Sequence, residues 1–203
     1  MIKSFFACLG AFLVAVILSG CTPVGVAAGM GVTVGTASFQ EGGIKTAAKD
    51  TTIKLRIADA WIKHDFDIYR KLNLTVKEGR VLITGSVPNP DMRVDAIRLA
   101  WQADGVKQVI NEISVDEDSS VGGLFKDSLI TGSIATKIMF DKHIQSINYN
   151  IDTANGNVYV MGVAQNQKEL DLVIEYARNT KNVTNVISYV RLSNESITNI
   201  DKL

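Results

Sequence analysis

The chain has 203 residues, 46% of them apolar, with 21 basic and 21 acidic side chains. That is the composition of an ordinary globular protein, with room for one or two small domains. The near-zero net charge argues against nucleic acid as a main partner, because such binding leans on a basic field.

The N-terminus reads as an address. Met1 and Lys3 give a short positive start, and residues 5–18 are an apolar run of signal-peptide length, closed by Leu18-Ser19-Gly20-Cys21. The run is short for the ~20 residues that cross a bilayer. Leu-Ser-Gly-Cys resembles the bacterial lipobox, in which small residues fit a protease cleft and the cysteine is diacylated and becomes the new N-terminus. Residues 1–20 are therefore expected to be a lipoprotein signal peptide, with Cys21 as the lipidation site. Two or three acyl chains anchor stably where one is marginal. Thr22 follows, rather than the Asp that marks inner-membrane retention in enteric bacteria. The expected location is thus the periplasmic face of the outer membrane. The other cysteine, Cys8, lies inside the signal segment, so no disulfide can brace the body of the chain.

Residues 21–49 are rich in Gly, Ala, Val and Thr. They read either as a flexible tether or as an apolar segment lying on the membrane or on the domain that follows. Their glycines lack the GxxxxGK[ST] spacing of a phosphate loop.

From residue 50 the sequence is written twice, every landmark shifted by 77 with no gap: Gly79 on Gly156, Gly85 on Gly162, Asn89 on Asn166, Ala100 on Ala177. Each copy opens on a helical stripe. Ile53, Ile57, Ala58 and Trp61 match Ile130, Ile134, Ala135 and Ile138, with Asp50 or Thr51, and Asp127 or Ser128, as expected N-caps. A hairpin follows. Leu72, Leu74 and Val76 alternate with polar residues, as do Tyr149, Ile151 and Thr153. Glu78-Gly79 and Asn155-Gly156 make the turn. The return strands span 81–87 and 158–164. Gly85 and Gly162 inside them signal a bulge or a close backbone approach.

The second helix starts at Asn89-Pro90 in one copy. In the other, Asn166 and Glu169 form a capping-box pattern. Its expected ends are Gly105 and Asn182, residue types that tolerate a left-handed conformation. Final strands cover 109–115 and 186–192. The expected fold class is α+β: two tandem αββαβ domains, residues 50–115 and 127–193, each with two helices on a three-stranded mixed sheet. Residues 116–126 read as a polar linker and 194–203 as a tail. Domains of about 65 residues are marginal alone, so docking of the two is expected.

The strands VLITGSV and VYVMGVA, with GVKQVINEI and NVTNVISYV after the second helix, resemble the BON domain, and the chain resembles a dual-BON bacterial lipoprotein. The resemblance implies binding to membrane phospholipid, support of envelope integrity, and no enzymatic activity or cofactor. It also implies that the first helix of the second copy meets anionic lipid, with an aromatic near its start. Leu129 stands at that position here, and Lys137 and Lys142 are the candidate headgroup contacts. The matching residues in the first copy are Ala60 and Asp65, neither of them basic. A second reading is a scaffold for outer-membrane assembly proteins or a cell-wall partner, bound through exposed strand edges.

No metal site is expected. His64 and His143 do not align between copies and read as helix-end histidines. Asp65 and Asp67, and residues 116–118, are carboxylates in expected loops, solvated rather than catalytic. No G-x-S-x-G, HExxH or paired-cysteine pattern occurs. Trp61 falls on the buried stripe, whereas Trp101 is a candidate for the interdomain contact.

Overall fold

The computed structural model describes residues 43–116 and 121–193; residues 1–42, and with them Cys21, lie outside the described residues. The first copy runs α1 (Gly43–His64), α2 (Phe66–Lys71), β1 (Leu72–Lys77), β2 (Arg80–Val87), α3 (Pro90–Trp101) and β3 (Gln108–Val115). The second runs α4 (Val121–Phe140), a 3-10 turn (Ser146–Asn148) in place of α2, β4 (Tyr149–Ala154), β5 (Asn157–Ala164), α5 (Gln167–Arg178) and β6 (Asn185–Leu192). The strand and second-helix boundaries repeat at the 77-residue offset. Each sheet is mixed: β1 pairs antiparallel and β3 parallel with β2, and β4–β5–β6 does the same. The two-copy α+β architecture is as the sequence requires.

The hairpins close on two-residue turns with both central residues left-handed, Glu78 and Gly79 at φ 56° and 79°, Asn155 and Gly156 at 53° and 76°. This is the turn whose twist matches paired strands.

The first helices begin earlier than expected, at Gly43 and Val121. The end of the expected tether and the second half of the expected linker are therefore helical. Asp50 and Asp127 consequently cap nothing. Each is buried, and its carboxylate takes the two turn amides of its own hairpin. Asp50 accepts from Glu78 N and Gly79 N at 2.7 and 2.9 Å, and Asp127 from Asn155 N and Gly156 N at 2.7 and 2.9 Å. Other corrections are local. α3 and α5 end at Trp101 and Arg178. Gly105 and Asn182, left-handed at φ 98° and 69°, sit in the loops that follow. Asn166 caps α5, but Glu169 bonds the Gln145 and Gln165 amides instead of closing a capping box. Asp65 caps α2, and Asp67 lies within it.

Gly85 and Gly162 mark close approaches, not bulges, since the register through both is unbroken. An added Cβ would lie 2.6 Å from the Lys71 carbonyl oxygen at Gly85, and at Gly162 it would run into the Asn148 carbonyl oxygen.

Each sheet has two occupied faces. Val81, Ile83 and Val87 turn to the helices and join Ile53, Ile57 and Trp61 in the first core, where the Trp61 indole N–H donates to Ala96 O at 3.0 Å. Val158, Val160 and Ala164 do the same with Ile130, Ile134 and Ile138. The intervening residues pack the two sheets on each other: Leu82 meets Ala154, Tyr159 and Met161, with Ile110, Ile187 and Tyr189 around them. Polar contacts fix the register of this joint. Arg191 Nε bonds Glu78 Oε2 at 2.6 Å, with both side chains largely buried. Arg80 reaches Tyr189 O at 3.0 Å, and Asp152 accepts from Asn73 and Thr84. Trp101 is not part of the joint; it stands 52% exposed.

Candidate functional site

The strand positions that face a neighbouring layer are taken up by the cores and the joint, so the broad free surfaces are the outer faces of the helices. α4 differs there from its counterpart. Its inward row is Asp127, Ile130, Ile134 and Ile138, all buried. At 3.6 residues per turn, Phe125, Leu129, Gly132, Thr136, Met139 and Phe140 fall in an outward stripe roughly 100° wide and about 22 Å long. All six are exposed, and none is charged. Phe140 is 82% exposed, and Phe125, Leu129 and Met139 stand between 59% and 66%. In α1 the equivalent positions are Ala48, Thr52, Leu55, Asp59, Ile62 and Lys63. There Lys63 pairs with Asp59 at 2.7 Å, a solvated i,i+4 bridge.

At the C-terminal end of α4 a shallow cleft of about 490 Å³ is lined by Lys137, Phe140, Asp141, Lys142, His143 and Tyr176. The expected contacts Lys137 and Lys142 thus meet at one place, beside the exposed Phe140. Lys142 is exposed. Lys137 is half-buried, with Nζ donating to Thr180 Oγ1 at 2.7 Å. Asp141 anchors the wall. It accepts from the His143 backbone N–H, from the His143 ring at 3.0 Å and from the Tyr176 hydroxyl at 2.8 Å. The His143 amide first, then the Tyr176 hydroxyl, hold its carboxyl below the ordinary range, while the same bond pushes the Tyr176 phenol up. The cleft keeps its cations at the negative end of the helix dipole.

Leu129 lies on the stripe, one turn after Phe125. The sequence reading overlooked Phe125, Met139 and Phe140. Phe125 falls in the expected linker, and only the early start of α4 brings it into phase with Leu129. His64 bonds Asp95 at 2.9 Å and His143 bonds Asp141. Among the described residues no three His, Cys, Asp or Glu side chains are grouped to hold a metal ion. No described helix is long and apolar enough to cross a membrane.

The BON domain family matches residues 49–117 and 126–194. The chain is 42% identical over 149 residues to an uncharacterized protein from the gshII 5' region of Anaplasma centrale, covering 73% of this chain and 97% of that one. A 21 kDa hemolysin of Actinobacillus pleuropneumoniae is 29% identical over 71% of this chain and 75% of its own length. The outer membrane lipoprotein DolP of Haemophilus influenzae is 31% identical over 60% of this chain and 64% of its own length.

Proposed function

The chain belongs to the BON domain family, and we propose on that footing that it is a non-enzymatic envelope lipoprotein. In this reading it is anchored through acylated Cys21 at the periplasmic face of the outer membrane. There it lays the outer face of α4 on anionic phospholipid and helps maintain envelope integrity. The observation that carries the reading is the uncharged stripe of Phe125, Leu129, Met139 and Phe140, which α1 does not have. Large apolar side chains grouped on a surface are characteristic of interaction sites. A helix lying in the interface buries such a face at the headgroup–acyl boundary. Lys142, with Lys137 behind it, stands beside Phe140 at the level where phosphates would lie. The similarity to an outer membrane lipoprotein supports the location.

Flotation of residues 21–203 carrying Cys21→Ala, without the apolar signal segment, on vesicles is the test, because it separates the α4 face from the anchor. Binding is expected on phosphatidylglycerol-containing vesicles. Each basic side chain near an anionic surface is worth about 1 kcal/mol, so Lys137→Glu with Lys142→Glu should weaken affinity from severalfold to about a hundredfold. Phe140→Asp should weaken it independently. Added salt should mimic the Lys changes alone, since exposed charges are screened over about 8–10 Å. Unchanged binding by both variants at low salt removes α4 as the lipid surface. In cells, palmitate labelling that persists in the Cys21→Ala protein removes the lipidation assignment.

A further inference from the structure

A second free surface lies away from α4, along the open edge of the first sheet. Among the described residues, β1 pairs with β2 on one side and with no strand on the other. In a two-residue hairpin the pair flanking the turn, Lys77 and Arg80, exchanges hydrogen bonds, and bonded pairs then alternate along the strand. Asn73, Thr75 and Lys77 therefore point their backbone groups at β2. Leu72, Leu74 and Val76 point theirs away. The Leu72 N–H is taken by Ile68 O. Among the described residues none bonds the outward N–H or C=O of Leu74 or Val76.

This edge opens into a groove of about 600 Å³. Leu55 and Tyr69 wall it from the helix side, 65% and 44% exposed, and Ile151 of β4 lies on the other side. Lys54 stands on its rim, exposed, and forms no ion pair among the described residues. The structure thus sets unused strand donors and acceptors beside apolar Leu55, Tyr69 and Ile151, with the free cation of Lys54 on the α1 rim and Asp152, already held by Asn73 and Thr84, on the β4 side. Edge strands of globular proteins are ordinarily blunted by bulges, prolines or inward charges. β4 carries such a charge, Asp152, in its middle; β1 has a regular register and only Lys77, at its end.

We propose that the outer edge of β1 is a strand-acceptor site for an extended segment of a partner protein in which apolar residues alternate with acidic ones. The segment's backbone pairs with Leu74 and Val76, as in strand addition. Its apolar side chains enter between Leu55, Tyr69 and Ile151, and a carboxylate meets Lys54. The site is independent of the α4 face, so one molecule can rest on lipid and hold a peptide at once.

Backbone amide exchange in the full-length acylated protein, held in detergent, tests this with a blocked peptide alternating Val and Glu. The comparison peptide has the same length, with Pro at every second position and so fewer strand donors. In the free protein the Leu74 and Val76 amides should exchange fast and Thr75 slowly. Saturating Val-Glu peptide should slow Leu74 and Val76 by about tenfold or more, leaving Thr75 unchanged. The Pro peptide should protect neither, and Lys54→Glu, an exposed change, should weaken the Val-Glu peptide severalfold. Three results overturn the proposal: no protection at Leu74 and Val76, equal protection by both peptides, or slow exchange at these amides before peptide is added. The last would mean that a second copy or the chain itself already covers the edge.

Discussion

Asp127→Ser separates two physical accounts of the same residue. Were Asp127 a helix N-cap, Ser would replace it with little loss, since the two rank together at that position. In the structure the residue lies a turn and a half inside α4, and its carboxylate holds Asn155 N and Gly156 N. Ser offers one short hydroxyl and cannot reach both amides. Hydrogen bonds to a charged group contribute about 1.5–3 kcal/mol each, and the site is 7% exposed, so water cannot freely replace them. A loss of about 3 kcal/mol is expected. For a body of this size each kcal/mol moves the melting temperature by about 2–4 °C, giving a fall of roughly 6–12 °C in a circular-dichroism melt. Asp50→Ser should give a loss of similar size, because its two bonds have the same lengths. A Ser variant melting within about 2 °C of the parent would refute the turn-clamp account.

Arg191→Met strands the buried Glu78 carboxylate and should destabilise by about 3–5 kcal/mol in urea unfolding, whereas adding Glu78→Gln should recover part of that; equal losses in the single and double variants would deny the pairing. Gly105→Val should cost at least about 1 kcal/mol, since φ is 98° and the new Cβ meets Ile53 Cδ1 at 3.1 Å; an unchanged melting temperature would deny the left-handed loop. Burial raises the Asp152 carboxyl above its ordinary range, against the bonds from Thr84 and Asn73. The folded state then binds the proton more tightly than the unfolded state, so this group's contribution falls as pH rises from the ordinary carboxylate range through the raised value. Asp152→Asn should flatten that slope and be relatively most stabilising at neutral pH; identical pH profiles for parent and variant would show that the joint does not bury this charge.

The elements legible in the sequence were those that local rules dictate. Glu78-Gly79 and Asn155-Gly156 specify their turns without reference to the rest of the chain, and the period-two strands set which face is buried. The helix starts were illegible for a physical reason. Asp50 and Asp127 carry a good capping side chain, and no local rule tells a cap from a carboxylate aimed at a turn 28 residues away. Glu169 is the same case: the box spacing is present, but the Gln145 and Gln165 amides claim its oxygens. Placing the start of α4 six residues late also hid Phe125, the first residue of the exposed stripe. Docking was foreseeable from domain size. Its partners were not, because Leu82 and Met161 read only as the unexplained alternate residues of two hydrophobic strands.

The docking itself explains why the two copies diverged where they did. The sheets meet through the faces opposite their helices, so α1 and α4 lie on opposite sides of the molecule. A flat membrane can touch only one of them at a time. The outer face of α1 is mixed, with the Asp59–Lys63 pair set among Leu55 and Ile62. The matching positions on α4 carry no charge and hold large apolar side chains, Phe125, Leu129, Met139 and Phe140, the face that the proposed lipid contact uses. The inward rows cannot separate in this way, because each must fill the same gap against a sheet of the same twist. Ile53, Ile57 and Trp61 therefore remain matched by Ile130, Ile134 and Ile138. Under the proposed lipid contact, face-to-face pairing of two equal domains would thus make one helix face redundant for the membrane and leave the flank, where the β1 edge lies, open to the proposed strand partner.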